Sequence, residues 1–261
     1  KEQTIRNTSE AQFQTEFECE FLGSVDTLIN ASKIKTMVPI DPQRSGNFDV
    51  WEKPKKGHIY TVCVDVARGI ANDYSAAIVV DCTKAPYKIV AKFRDNDIKP
   101  IVFPNILQKI GNAYNKAYML IEINDLGQQV ADALQFELEY DNMMMVTQRG
   151  RSGQVLGGGF SGRGNQLGLR MTKGTKKIGT SNMKSLIEAD KLIIQDFDII
   201  SELSTFIAKG KSFEAEPGSH DDLVMCLVIF SWAANQRYFK ELTDVNVRGM
   251  MFTDQQNAIE A

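Results

Sequence analysis

Histidine and cysteine, the side chains that most often hold transition metals, are scarce in this chain. Its 261 residues include two histidines, His58 and His220, and four cysteines, none of them in a C-x-x-C pair. Structural zinc sites need four such ligands at close spacing, and disulfide scaffolds need paired cysteines. The sequence therefore disfavours both, and it favours a reducing compartment.

Long hydrophobic runs are also missing. No apolar stretch approaches the roughly 18 residues of a membrane span, and the N-terminus, which begins with Lys1, has no signal-peptide pattern. A membrane is therefore not an expected partner, and a fragment or processed chain is expected. With 43% hydrophobic and 24% charged residues, the composition is typical of a globular protein with one sizeable core. We expect one main domain with appendages.

Acidic residues are absent from residues 148–187, although the chain as a whole carries a net charge of −3. This glycine-rich stretch, which we call the basic segment, carries a charge of +8, which leaves −11 for the rest of the chain. Such asymmetry predicts an anion-binding face on an acidic body, and the alternative is a solvated loop. The candidate anion ligands are Arg149, Arg151, Arg163, Arg170, Lys173, Lys176 and Lys177.

The most informative stretch is residues 59–81, where two apolar, β-branched runs flank a loop and predict a pair of strands. Residues 118–123 are short and apolar, as expected of a buried parallel strand. The order of elements predicts an α/β domain, with a mixed sheet flanked by helices. The other predicted elements are a helix over 25–34 capped by Ser24, a strand over 87–93, a helix over 100–116 with Ile101 in its apolar stripe, a helix from 124 to about 140, a strand over 143–146, a glycine-rich loop over 150–175, a helix over 181–190, a strand over 192–194, a helix over 196–207, a hairpin over 206–214 and a helix over 220–234.

Four acidic residues lie where separate elements of this fold end or begin. Asp65 and Glu122 end strands, and Asp221 and Asp222 begin the last apolar helix. Strand carboxyl ends and helix N-termini gather at one edge of an open α/β sheet, so these carboxylates are expected to converge. Two carboxylates about 5 Å apart repel by roughly 3 kcal/mol at an effective dielectric constant near 20. A cation is therefore expected among them, and oxygen ligands select Mg²⁺ or Mn²⁺.

Each acidic residue also has a purely structural alternative. Asp65 alone is typical of a turn cap, Asp221 of a helix cap, and Glu122 of a sheet-edge partner for a lysine. Asp73, eight residues after Asp65, is a further candidate ligand, with Gly69 allowing the backbone to bend between them. Asp73 is equally typical of a turn residue.

Three stretches, VCVDVARGIANDYS (62–75), MLIEIND (119–125) and SHDDLVMCLVIF (219–230), resemble the nuclease domain of large terminase subunits, most of all those of T4-like tailed bacteriophages. The resemblance implies an RNase H-like, resolvase-type fold and a two-metal endonuclease that cuts concatemeric viral DNA during packaging. It implies that Asp65, Glu122 and either Asp221 or Asp222 are catalytic and bind two Mg²⁺ or Mn²⁺ ions, with Asp73 in an accessory position.

In such a two-metal site, one ion activates a water molecule and the other stabilises the leaving 3′ oxygen. The basic segment would then hold the phosphodiester backbone of double-stranded DNA. No helix in the sequence looks built to read base edges, so we expect cutting without strict sequence preference.

The resemblance also implies partners, location and boundaries. The partners are double-stranded DNA, an ATPase domain of the same polypeptide, the portal and the small terminase subunit, and the location is the host cytoplasm, transiently at the procapsid. The expected regions are an extension or linker from the ATPase region (1–57), an RNase H-like nuclease domain (58–236) and a C-terminal tail (237–261). Because GGGFSGRGNQLG (157–168) lacks the Lys-Ser/Thr ending of a P-loop and no other P-loop motif occurs, we expect cutting without translocation.

Other classes share part of this pattern. A Holliday-junction resolvase or another RNase H-like nuclease would prefer four-way junctions to linear duplex. A non-catalytic docking domain of a packaging motor would keep the acidic residues for structure, so Asp65→Asn would leave cleavage unchanged. An actin-like or sugar-kinase-like nucleotide-binding fold needs a second phosphate-binding hairpin, which the sequence does not show.

The basic segment predicts a salt dependence of DNA binding. If about five of its Arg and Lys side chains touch phosphate, the log–log plot of affinity against salt concentration has a slope near −4.5. Anisotropy titrations of labelled duplex DNA at several NaCl concentrations measure this slope. A flat response would show that the segment is not the DNA path.

Overall fold

A six-stranded mixed sheet forms the centre of the computed structural model, which describes residues 26–67, 73–148, 153–157 and 165–244. The strands in chain order are β1 (Phe48–Val50), β2 (Tyr60–Asp65), β3 (Ser75–Asp81), β4 (Tyr87–Asp95), β5 (Tyr118–Ile121), β6 (Met145–Gln148), β7 (Gln154–Gly157), β8 (Asn165–Leu167), β9 (Leu192–Ile193), β10 (Phe206–Lys209) and β11 (Ser212–Ala215). The main sheet has the order β1-β4-β3-β2-β5, with β9 also paired to β4. The pairs β1–β4, β3–β4 and β2–β3 are antiparallel, whereas the pairs β2–β5 and β4–β9 are parallel.

Helices cover both faces of this sheet, which confirms the predicted mixed α/β class. The helices are α1 (Ala31–Ile34), α2 (Phe103–Ala113), α3 (Gly127–Asp132), α4 (Lys173–Glu188), α5 (Phe197–Ser204), α6 (Asp222–Ala234) and α7 (Arg237–Thr243). Strand residues alternate between two hydrophobic clusters because successive side chains point to opposite faces. Cys63 and Leu120 join the cluster with α4, α5, α6 and α7, whereas Val64 and Ile121 join the cluster with α2 and α3.

Helix α6 is apolar on all sides and is enclosed on all sides. Every residue from Leu223 to Ala234 is buried, in contact with β2, β3, α4, α5 and α7. A helix of this kind belongs inside a core, so its polar start is the part that reaches the sheet edge. In the described part of the chain, no helix is both long enough and apolar enough to span a membrane.

The predicted helix over 25–34 is wrong for most of its described length. The observed helix is α1, with Asn30 as its N-cap, and Ser24 lies outside the described residues. Residues before Asn30 are held extended, because Leu28 N–H donates to the Phe206 carbonyl at 3.0 Å and Thr27 forms a β-bridge with Ile207.

Two other predicted helices are shorter than expected. The helix over 100–116 is α2, which starts at Phe103 and leaves Ile101 82% exposed rather than in the apolar stripe. The helix expected from 124 to about 140 is α3, followed by a π-helical turn over Ala133–Glu137.

The glycine-rich region is more structured than predicted. Strands β7 and β8 flank β6 in a second, three-stranded sheet, and α4 begins at Lys173, eight residues before the expected start at 181. The hairpin over 206–214 is confirmed as β10 and β11.

The predicted boundaries of the nuclease domain, at residues 57 and 236, remain predictions. Strand β1 precedes the first boundary yet pairs with β4 of the main sheet. Helix α7 follows the second boundary.

Close packing of α4 on α6 generates a stability prediction. A Cβ atom added at Gly179 would lie 2.6 Å from Val228 Cγ1 and 2.7 Å from the Val228 carbonyl oxygen. We expect Gly179→Ala to lower the free energy of unfolding by about 1–3 kcal/mol, since the helices must move apart. Urea unfolding measures this change.

The matched control is Gly174→Ala in the same helix, where the nearest atom to a new Cβ lies 3.8 Å away. This control should be neutral or stabilising by up to about 1 kcal/mol, because alanine favours helix more than glycine does. Equal effects of the two variants would contradict the close packing of α4 and α6.

Candidate metal centre

Asp65 and Glu122 lie side by side at the carboxyl ends of adjacent parallel strands. Val64 pairs with Ile121 in the β2–β5 ladder, and Glu122 N–H donates to the Val64 carbonyl at 2.9 Å. Neighbouring strands are about 4.8 Å apart. By strand alternation, both carboxylates point to the face that α4 and α6 cover, so the sheet itself brings them together.

A glycine fixes the backbone around Glu122. Gly127 starts α3, and a Cβ atom there would lie 1.7 Å from the Glu122 carbonyl oxygen. The turn between them is closed by Gly127 N–H, which donates to the Asn124 carbonyl at 3.0 Å. Any larger residue at 127 would therefore displace the chain that carries Glu122.

Asp221 and Asp222 stand at the start of α6, but Glu202 of α5 caps that helix. Glu202 Oε2 accepts from the backbone N–H groups of Leu223 and Val224 at 2.9 and 3.0 Å. Within the described residues, Asp221 at the N-cap position makes no side-chain capping bond. Asp221 therefore occupies the N-cap position without a capping hydrogen bond, and Glu202 forms the bonds to the α6 backbone instead.

Glu202 and its partner Arg94 were not among the predicted site residues. Glu202 is 5% exposed, and its Oε1 lies 3.1 Å from Arg94 Nη2, although the pair is not aligned as a hydrogen bond. A signal was available, because Glu202 falls three residues after Ile199 within an apolar helical stretch, where a charge needs compensation.

Strand β4 anchors the helix that carries Glu202. Lys92 of β4 is 3% exposed and donates to Asp196 at 2.7 Å and to Asp198 at 2.5 Å. Asp196 is the N-cap of α5, accepting from Ile199 N–H at 2.8 Å. Two residues on, Arg94 points to the same side, so alternate residues of one strand hold both ends of α5 in place.

Burial and mutual repulsion dominate the electrostatics of the strand carboxylates. Burial, followed by the charges of Glu122 and Asp222, raises the pKa of Asp65 well above its ordinary range. Burial also raises the pKa of Glu122 to about 7, although the nearby charge of Lys176 lowers it. The charges of Asp221 and Glu202 also act on Asp65, so these carboxylates interact electrostatically. We call Asp65, Glu122, Glu202, Asp221 and Asp222 the acidic cluster.

Burial also has the largest effect on the pKa values of the acidic residues nearer to α6. Burial raises the pKa of Asp222 to about 6, against the charges of His220 and Arg94. Burial raises the pKa of Glu202 to about 8, again against Arg94. Asp222 Oδ2 is buried and accepts no hydrogen bond from the described residues.

An aromatic contact closes the cluster on the β3 side. The Arg94 guanidinium lies 4.0 Å from the centroid of the Tyr74 ring, and the Tyr74 ring meets His220 edge-on at 5.1 Å. His220 Nδ1 lies 3.7 Å from Asp222 Oδ2. Arg94, Tyr74 and His220 therefore form a continuous series of contacts that ends at Asp222.

The basic segment borders the acidic cluster. Leu169 pairs with Glu122 in a parallel bridge, and the Asn124 side chain bonds both the N–H and the carbonyl of Met171 at 3.0 Å. The described basic residues that follow are Arg170, Lys173 and Lys177, which are exposed, and Lys176, which is partly buried. Arg149, Arg151 and Arg163 lie outside the described residues.

The other predicted residues are less informative. Asp73 is exposed at the bend before β3, and its role as a ligand stays a prediction. Gly69 lies outside the described residues.

The cluster fits a divalent cation chemically, although it is not a finished coordination shell. Among the described residues, no group of three or more His, Cys, Asp or Glu side chains is positioned to hold a metal ion as it stands. Carboxylates that repel one another without a cation are expected to stand apart. The buried Asp222 oxygen, which accepts no hydrogen bond from the described residues, and the all-oxygen donor set fit a hard ion such as Mg²⁺ or Mn²⁺.

Comparison with known proteins places this chain in a family. Residues 62–232 match the family described as the terminase RNaseH-like domain, and the match spans more than half of the chain. The chain belongs to this family, and the predicted RNase H-like fold is confirmed. The more specific likeness to T4-like phages stays a prediction.

Solved structures show the same fold. The large terminase nuclease of thermophilic phage G20c with bound cobalt has a TM-score of 0.61 at 20% identity, and its form with bound magnesium has 0.59 at 21%; each match covers 80% of this chain and 97% of the other. The large terminase nuclease domain of Thermus phage P74-26 has a TM-score of 0.55 at 21% identity, covering 78% of this chain and 93% of the other.

The raised pKa of Glu122 generates a pH prediction for the metal-free protein. In the unfolded chain Glu122 loses its proton near its ordinary pKa of 4.5, whereas in the folded protein its pKa is about 7. The folded state therefore binds more protons between these values, and stability falls as the pH rises through this window. Glu122→Gln removes this contribution, which amounts to at most about 3 kcal/mol.

Denaturant unfolding in EDTA between about pH 5 and pH 8 measures the difference. The stability of Glu122→Gln relative to the unmodified protein should increase with pH. Glu188→Gln, at a partly exposed position beside Lys184, is the control and should run parallel to the unmodified protein. A parallel curve for Glu122→Gln as well would contradict the placement of Glu122 in the cluster.

Proposed function

We propose that this chain is a metal-dependent DNA endonuclease that cuts concatemeric viral DNA during genome packaging. The observation that carries the proposal is the convergence of carboxylates from β2, β5 and α6 on one sheet edge, directly beside a basic segment. Membership in the terminase RNaseH-like domain family supports it. The bound cobalt and magnesium of the related nucleases support the use of divalent ions.

Asp65, Glu122 and Asp222 are the residues that would hold the ions. We favour Asp222 over Asp221 because Asp222 is the more buried of the two, at 13% against 29% side-chain exposure, and its buried Oδ2 accepts no hydrogen bond from the described residues. Asp73 is the proposed accessory ligand. When bound, two Mg²⁺ or Mn²⁺ ions would supply an activated water molecule and neutralise charge at the leaving 3′ oxygen.

The chain's own residues provide the setting for this chemistry. Glu202 holds the start of α6, and Gly127 fixes the backbone beside Glu122, so the ligands are carried by rigid elements. Arg170, Lys173 and Lys177 are exposed next to the cluster, where they would neutralise phosphates of the duplex. Side chains of this kind position DNA without reading its sequence.

The remaining family-based expectations form part of the same proposal. The chain would act beside an ATPase domain of the same polypeptide, together with the portal and the small terminase subunit. Its work would take place in the host cytoplasm, transiently at the procapsid.

Isosteric removal of single charges tests the function. With Mg²⁺ or Mn²⁺ and plasmid or linear duplex as substrate, Asp65→Asn should lower the single-turnover cleavage rate by about 10³-fold or more, since it removes a shared ligand without changing shape. Asp222→Asn should approach this loss, and Asp221→Asn should lose less. EDTA should abolish cleavage by the unmodified protein.

Asp141→Asn serves as the surface control and should cleave normally, because Asp141 is exposed and its neighbour Asn142 is bonded to Met119 near the start of β5, the end of the strand opposite to Glu122. Unchanged cleavage by folded Asp65→Asn would overturn the endonuclease proposal and favour a docking domain. Strong preference for four-way junctions over linear duplex would favour a resolvase-like nuclease instead.

A further inference from the structure

Lys176 occupies a different environment from the basic residues beside it. Its Nζ lies 3.9 Å from Asp221 Oδ2, with its side chain 21% exposed, and 5.6 Å from the centroid of the Phe206 ring. Lys173 and Lys177, in the same turns of α4, are exposed. Lys176 therefore turns inward toward the acidic cluster rather than outward toward a ligand in solvent.

Two cations, Arg94 and Lys176, act on different carboxylates of the acidic cluster. Arg94 lies beside Glu202 on the buried side, and its charge also acts on Asp222. Lys176 lies beside Asp221, and its charge acts on Glu122. Together with Asp65, five carboxylates face these two cations among the described residues, so negative charge remains to be compensated.

Hydrogen bonds and packing hold the backbone of Lys176, whereas its ammonium makes longer contacts, to Asp221 at 3.9 Å and to the Phe206 ring at 5.6 Å. Thr172 caps α4 by accepting from Thr175 N–H at 3.1 Å, and Thr180 Oγ1 donates to the Lys176 carbonyl at 2.8 Å. Close packing at Gly179 fixes α4 against α6, the helix that follows Asp221. The lysine stem has four carbons and rotates freely, so the ammonium can withdraw while the helix stays in place.

We propose that Lys176 is an internal counterion of the metal centre: its ammonium, beside Asp221, neutralises Asp221 and Glu122 in the metal-free protein and opposes the binding of divalent ions by Glu122 and the carboxylates next to it. This inference rests on the proposed function, because it concerns the same ions. It assigns Lys176 to the metal centre and not to the path of the DNA backbone. The Lys176 ammonium offsets part of the repulsion between the carboxylates before metal binds. The same charge weakens metal binding.

Metal binding without DNA tests this role directly. Calorimetric titration of MnCl₂ into the metal-free chain gives the dissociation constant for the unmodified protein and for Lys176→Met. We expect Lys176→Met to bind Mn²⁺ about tenfold more tightly, equivalent to about 1.4 kcal/mol. Lys176→Arg keeps the charge and should bind as the unmodified protein does.

Lys184→Met is the matched control, because it removes the same charge from the same helix two turns away, where Lys184 lies 3.7 Å from Glu188. Its Mn²⁺ affinity should change less than twofold. A second measurement is the melting temperature in EDTA. It should fall for Lys176→Met, and added Mn²⁺ should raise it more than in the unmodified protein.

The outcomes separate this inference from the proposed function. If the unmodified protein binds Mn²⁺, Asp65→Asn weakens that binding and Lys176→Met binds no more tightly than Lys184→Met, the counterion role is overturned and the nuclease proposal stands. Weaker Mn²⁺ binding by folded Lys176→Met would also overturn it. If the unmodified protein neither binds Mn²⁺ nor cleaves DNA, both proposals fail.

Discussion

Repulsion among carboxylates that share one poorly solvated edge of the sheet is the constraint on which this structure depends. Burial and like charges raise the pKa values of Asp65, Glu122 and Asp222, because both disfavour the ionised carboxylates. Such an arrangement costs stability and persists only where the surrounding structure imposes it. Raised carboxylate pKa values that stem from both burial and neighbouring acids are typical of functional sites.

The scaffold imposes this arrangement with ordinary backbone interactions. The β2–β5 ladder sets Asp65 next to Glu122, and Gly127 allows the chain to turn back against the Glu122 carbonyl. At α6, Glu202 takes over the capping task that a residue at the helix start would otherwise perform. Capping by a remote side chain leaves Asp221 and Asp222 available, at the expense of burying a fifth carboxylate beside Arg94.

The position of the basic segment follows from the same geometry. Its strand-like residues pair with the end of β5, and Asn124 fixes the chain that leads into α4. Acidic and basic groups therefore meet at a shared boundary rather than on opposite faces. A polyanion at the exposed lysines would lie next to the carboxylates, and Lys176 stands between the two sets of charges.

Much of the fold was predictable because its signals are local. Alternation in residues 59–81, the short apolar strand before Glu122 and the all-apolar helix after Asp222 depend on periodicity that the chain carries by itself. Helix α4 was placed too late because Gly174 and Gly179 lower its intrinsic helix propensity, and packing of Gly179 on Val228 offsets that cost only in the folded protein.

The amino-acid sequence by itself determined which acids end strands or begin a helix, and the family pattern they form. Only the tertiary structure decided that Glu202 caps α6, that Ile101 is exposed and that Lys176 turns inward. These features depend on contacts between residues far apart in the chain, and the free energy of burying or pairing a charge is set by those contacts and not by its neighbours in sequence.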